Sequence, residues 1–200
     1  AALGTLSGVL FAYAGDLPQI SALDNYNPST ITRVYGVDGQ GIGDFAVERR
    51  LVVGYDDIAP NLRMAIIAAE DGDFNSHFGL SISRIAVTLG RDVFEFVTDR
   101  IRGRTSRPAG ASTLTQQLAR IVLPEAVGFY EGEISLERKI REAIVAIQIE
   151  KRYTKREILT MFANQMYWGH NAYGVEAASR LYFSKSAKGL TLEEAAKLGG

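Results

Sequence analysis

From Pro60 almost to the end of the chain, apolar residues recur at spacings of three and four, the pattern of amphipathic helices. "LRMAIIAA" opens the series and "SLERKIREAIVAIQIEKRY" carries it furthest. In the latter, Leu136, Ile140, Ala143, Ile144 and Ile147 share one face, while Arg138, Glu142, Val145 and Ile149 share the opposite one. A helix that is apolar on two sides belongs in the middle of a domain. Thr113 with Gln116, Thr154 with Glu157 and Thr191 with Glu194 have the capping-box spacing that opens a helix. Before Pro60 the period changes. "TITRVYGVDGQGIGDFAVERRLVV" alternates β-branched residues on each side of a turn at Asp38-Gly39, which predicts a β-hairpin, and residues 16–30 before it are loop-like. The pattern predicts a mainly α domain with a small β appendage near its N-terminus.

Composition adds bounds rather than an identity. A content of 46% hydrophobic and 22% charged residues supports a real core, and a net charge of −1 gives no sign of a nucleic-acid partner. There is no cysteine, hence no disulfide framework and no thiolate metal site. Residues 1–15, "AALGTLSGVLFAYAG", are apolar and uncharged but shorter than the about 20 residues a bilayer span needs, and they read as the trailing end of a membrane anchor. The expected organisation is this anchor, a linker and β-hairpin over 16–55, and the main domain over 56–200. The helical pattern of "EEAAKLGG" reaches the last residue, so a truncated C-terminus is expected.

One stretch breaks a local rule. "LRMAIIAA" runs straight into Glu70 and Asp71, although a helix C-terminus carries partial negative charge and disfavours acids. Such violations mark functional sites. With Ile66 and Ile67 behind it and Phe74 and Phe78 ahead, Glu70 is expected to be partly desolvated, which suits a general acid or base. His77 is expected to stabilise the following turn through a backbone hydrogen bond rather than to transfer protons. The second stretch, "RPAGASTLTQQLARIVL", opens a helix from a Pro/Gly loop, where backbone N–H groups can hold an anion, with Arg120 two turns in. The third is the start of the two-faced helix, where Arg138 and Glu142 are placed for an i,i+4 pair or for a cleft wall with a second carboxylate and basic groups. Two acids on separate helices with an anion site suggest transfer at a sugar carbon bearing a phosphate leaving group; paired carboxylates also fit glycoside hydrolysis.

Together these stretches resemble the peptidoglycan glycosyltransferase family of class A penicillin-binding proteins and monofunctional transglycosylases. The family's Glu-Asp-x-x-Phe-x-x-His-x-Gly stands here as Glu70, Asp71, Phe74, His77 and Gly79. Its Gly-Gly-Ser-Thr-x-x-Gln-Gln stands as "GASTLTQQ", with Ala111 for the second Gly, then Ser112, Thr113, Gln116 and Gln117. Its Arg-Lys-x-x-Glu is Arg138, Lys139 and Glu142. A fourth motif is similar to "KREILTMFANQ", with Lys155 one residue closer than the usual spacing and Asn164 in place, and a fifth to "GHNAYGVEAASRLYF".

The resemblance implies a lysozyme-like α domain made of a head and a membrane-seated jaw, at the extracytoplasmic face of the cytoplasmic membrane. It implies polymerisation of lipid II onto a lipid-linked glycan chain, with Glu70 as base and Glu142 as second essential carboxylate. Asp71, Phe74, His77, Ser112, Thr113, Gln116, Gln117, Arg120, Arg138, Lys139 and Asn164 match positions around substrate and diphosphate. No cofactor is required, though a divalent cation (Mg or Mn) at Glu142 is compatible with the family. Expected partners are the membrane, an attached transpeptidase domain and a cell-wall synthesis complex. One departure is Ile134, where family members often carry Arg. Rival readings are a lytic muramidase of the same fold class and a non-catalytic membrane-bound scaffold.

Between the first two motifs, Ile82, Ile85, Ala86, Leu89, Val93 and Phe96 form a stripe expected to dock on the domain. Val87, Phe94 and Ile101 lie off it, among six arginines and three acids over residues 80–108. Apolar groups beside many cations suit an anionic membrane interface. The 103–110 stretch after it is expected to be mobile.

Overall fold

Helix starts and stops along the chain follow local chemistry. The computed structural model describes residues 32–45, 49–88, 112–128 and 136–200. Strands β1 (Thr32–Tyr35) and β2 (Gly41–Phe45) pair antiparallel across a turn in which Gly39 has φ +76°. Strand β3 (Arg49–Arg50) runs parallel to β4 (Ala172–Tyr173), so the start of the domain is tied to its C-terminal part. The helices are α1 (Pro60–Glu70), α2 (Leu114–Val122), α3 (Pro124–Val127), α4 (Leu136–Arg152), α5 (Lys155–Gln165), α6 (Val175–Phe183) and α7 (Leu192–Gly199). Residues 82–88 are also helical. The chain is mainly α. Expectations for residues 1–31, for Leu89, Val93, Phe94, Phe96 and Ile101, for 103–110, and for Ala111 and Ile134 fall outside the described residues.

All three expected capping boxes form. Thr113, Thr154 and Thr191 each accept a backbone N–H three residues on, while Gln116, Glu157 and Glu194 reach back to the cap N–H. α1 instead starts with Pro60, whose fixed φ suits a first helical position and whose missing N–H would have had no partner there. Leu62 and Ile66 of α1, Phe74, Leu114 and Leu118 of α2, Ile149 of α4, and Ile158 and Phe162 of α5 meet in one buried core. α2 packs on both α4 and α5, and α7 closes on α1.

The two faces of α4 are buried to different degrees. On the expected main apolar face Ile144 is buried, while Ile140, Ala143 and Ile147 are half-buried. Arg138, Glu142, Val145 and Ile149, on the face that carries charge, are buried, with Glu142 fully so. That face can go inward because Glu142 meets a cation there, as described below. The helical run 82–88 departs in part from the sequence expectation. Of the expected docking stripe Ile82 and Ala86 are exposed and Ile85 is half-buried, so Ile85 seats the run together with Ser81 and Arg84.

Candidate active site

Glu70 ends α1 and points one carboxylate oxygen at α2, where Gln117 Nε2 donates to Oε2 at 2.7 Å. Among the described residues Oε1 takes no hydrogen bond, and the side chain is half-buried. One oxygen is therefore held while the other remains open to a hydroxyl. That is the geometry a general base needs.

Asp71, 1% exposed, is the centre of the local scaffold. Its Oδ2 accepts from His77 Nε2 at 2.9 Å and from the Leu114 backbone N–H at 2.9 Å, and its Oδ1 accepts from Arg84 Nη1 at 2.8 Å. The Gly79 N–H donates to His77 Nδ1 at 3.1 Å, which leaves Nε2 as the ring nitrogen that faces Asp71. His77 thus makes the turn bond expected of it and also fixes Asp71. The Asp71 carboxylate completes the unsatisfied donors at the start of α2, where negative charge is favourable. Gly79, at φ +100°, lies so close to α4 that a Cβ would sit 2.9 Å from the Ala146 carbonyl oxygen. Its own carbonyl accepts from Thr113 Oγ1 at 2.6 Å. The first motif is thereby fastened to α2 and α4 together.

The second carboxylate lies on the other side of the same helix start. Lys139 Nζ donates to Ser112 Oγ at 2.9 Å and to Glu142 Oε1 at 3.0 Å. Glu142 pairs at i,i+3 with Lys139, and the same ammonium reaches Ser112. Glu142 Oε2 is buried and accepts nothing among the described residues. A buried charge with an open lone pair is costly unless a further group completes it. Arg138 is 8% exposed one turn before Glu142. Arg120, half-buried, makes no ion pair or hydrogen bond among the described residues and remains available to an anion.

The remaining expected positions are built into the scaffold. Gln116 closes its capping box through Oε1 to the Thr113 N–H at 2.9 Å. Phe74 is 1% exposed in the core, its ring 4.4 Å from Lys155 Nζ. Asn164 is set apart from the acids: its amide accepts from the Val53 N–H at 3.0 Å and donates to the carbonyls of Val53 and Thr160, both at 2.9 Å. Sequence reasoning passed over Arg84, which also donates to the Glu70 and Ser112 carbonyls, and over Glu150, whose Oε1 accepts from Thr115 at 2.6 Å and Lys155 at 2.7 Å. A lone acid two turns beyond Glu142 on the same helix was the available signal for Glu150.

Comparison with known proteins gives a consistent answer. Residues 38–200 match the family described as Transglycosylase. The chain is 38% identical to penicillin-binding protein 1A of Rickettsia prowazekii over 188 residues, covering 94% of this chain and 22% of that protein. It is 36% identical to the protein of that name from Neisseria lactamica, over 100% of this chain and 23% of the relative. The Aquifex aeolicus protein of the same name is 37% identical over 92% of this chain and 23% of its own length. The chain therefore spans less than a quarter of the length of these curated relatives.

Proposed function

The chain belongs to the transglycosylase family, and on that footing we propose that it polymerises lipid II into peptidoglycan glycan strands. The observation that carries this reading is the start of α2, which joins two acids of different kinds. Gln117 holds Glu70 with one oxygen open, and Ser112 holds the ammonium that pairs with buried Glu142. Glu70 takes the proton from the C4 hydroxyl of the acceptor lipid II. The freed oxygen attacks C1 of the lipid-linked growing chain, forming a β-1,4 bond with inversion, and undecaprenyl diphosphate leaves with the C1–O bonding pair. Lys139, Arg138, Arg120 and the N-terminal end of α2 stabilise the charge that develops on the diphosphate. Glu142 orients Lys139 toward that oxyanion.

A divalent cation fits this site only with help from the substrate. Among the described residues no three His, Asp or Glu side chains are grouped to hold a metal. The open Glu142 Oε2 is one oxygen ligand, and the others would be diphosphate oxygens.

The reading extends to the surroundings. Phe78, Ile82 and Val87, just after the first motif, are 56%, 66% and 70% exposed, which supports a lobe seated in the membrane beside the head that carries Glu70. No helix among the described residues is long and apolar enough to cross a membrane. The location that fits a lipid-linked substrate is the outer face of the cytoplasmic membrane, with 56–200 forming the catalytic unit. The greater length and the name of the relatives support an attached penicillin-binding transpeptidase domain and a place in a cell-wall synthesis complex. Incubation with lipid II and, separately, with preformed glycan tests the reaction. Growth of strands from lipid II is expected; shortening of preformed strands without growth overturns the proposal in favour of a lytic enzyme.

A further inference from the structure

The Glu70-Asp71 pair places two carboxylates at the negative end of α1, a helix with no basic residue in its last turn. The compensating cation comes from outside it. Arg84, in the helical run 82–88, donates from Nη1 to Asp71 Oδ1 at 2.8 Å, and from Nη1 and Nη2 to the Glu70 carbonyl at 3.4 and 3.3 Å. Nη2 also donates to the Ser112 carbonyl at 3.4 Å. Arg84 is the arginine that meets buried Asp71 among the described residues, at 2.8 Å.

We propose that Arg84 is a positioning residue for Glu70. Its guanidinium fixes the backbone at both ends of the Glu70–Gln117 bond. One end is the Glu70 carbonyl; the other is Ser112, the residue before the Thr113 cap of the helix that carries Gln117. A planar, multi-donor fork can hold three acceptors from two segments at once, which a single ammonium does less well. Arg84 acts through Glu70 and does not touch substrate. The same contacts make the base geometry depend on how the run 82–88 is seated, and so couple the catalytic carboxylate to the apolar surface that this run displays.

This inference rests on Glu70 being the base. Arg84→Lys keeps a positive charge against Asp71 but loses the fork. Its melting temperature is expected to stay close to that of the parent. Its kcat on lipid II is expected to fall about ten-fold or more while KM moves less than about threefold, since small misplacements of a catalytic group act on the chemical step. Should Arg84→Lys not fold, Arg84→Met combined with Asp71→Asn decides. That pair removes both charges and leaves an amide oxygen for His77 and the Leu114 N–H, and the same kcat loss is expected. Parental kcat in either folded variant overturns the proposal, as does a loss confined to KM, or unfolding of both variants, which would make Arg84 a purely structural counter-charge. Glu70→Gln separates the two readings: if it stays active the base assignment fails, whereas an inactive Glu70→Gln beside a fully active Arg84→Lys removes this inference alone.

Discussion

Gln117 donates to one oxygen of Glu70 at 2.7 Å, so the last residue of α1 is oriented by the first turns of α2. The bond leaves Oε1 open and sets the direction from which a hydroxyl can approach. Gln117→Ala removes the tether without disturbing the core, because the side chain is only half-buried. It is expected to lower kcat about 10- to 100-fold, as loss of orientation does, with little change in melting temperature. A variant at the parental rate in a lipid II polymerisation assay would show that Glu70 is oriented by something else.

Glu70→Gln tests the base itself. Glutamine is nearly isosteric, can still face Gln117, and relieves an acid at the unfavourable end of a helix. Stability is expected to hold or rise slightly while polymerisation falls about 10²- to 10⁴-fold. If the variant keeps more than about a tenth of the rate, a barrier change under about 1.4 kcal/mol, the assignment is wrong.

Glu70 and the start of α2 were legible in the sequence because each violates or completes a local rule. Glu70 is an acid where the helix dipole disfavours one, and the Thr113 and Gln116 pair is a capping box whose spacing can be read directly. Arg84 was hidden for the opposite reason. Its acceptors lie on Glu70, Asp71 and Ser112, and nothing local separates it from the other arginines in residues 80–108. On α4 the spacing shows that Arg138 and Glu142 share a face with Val145 and Ile149, but not that Glu142 pairs with Lys139 and, through it, reaches Ser112. Asn164 matches a family motif, yet besides Thr160 one turn back its described bonds go to Val53, a contact that sequence spacing cannot reveal.

Lys139 and Glu142 form one unit through a 3.0 Å bond, and both are expected to act on donor handling. Lys139→Ala and Glu142→Gln should each weaken binding of a phosphoglycolipid that mimics the donor diphosphate. Removing either leaves the other poorly placed, so the double variant should lose less than the sum of the two single losses. Strict additivity in titration calorimetry would mean that the two side chains do not act together.

Acid titrates the start of α5. The Thr154 backbone N–H and then its hydroxyl hold the Glu157 carboxyl below its usual value of 4.5. A folded-state value below the unfolded one means that the charged cap stabilises the fold above about pH 4.5, and that this contribution fades as pH falls through the lowered value. Glu157→Gln should therefore melt below the parent at pH 7, with the gap closing toward pH 3. A gap that is constant across that range would place the stabilisation in packing rather than in the charged cap.

Phe78, Ile82 and Val87 expose apolar side chains immediately beyond the Glu70 motif, and Ala86 is exposed in the same helical run. The inward side of this run carries Ser81, which is buried, with Arg84 and Ile85 half-buried, so the run is already seated and its outer face is left for another phase. The proposed lipid-linked substrate requires the cleft to lie against a bilayer, and these residues follow Glu70 within 8 to 17 positions of the chain. Phe78→Ser with Val87→Ser removes two side chains whose transfer from water is worth about 1.5–3 kcal/mol each when burial is complete. Even partial insertion then predicts a loss of about ten-fold or more in partitioning onto anionic vesicles, since about 1.4 kcal/mol is one decade. Polymerisation of vesicle-borne lipid II should slow in proportion, while circular dichroism and melting temperature stay at the parental values because neither side chain is in the core. If instead the double variant loses its fold, or binds vesicles as the parent does, the membrane does not meet the protein on this face.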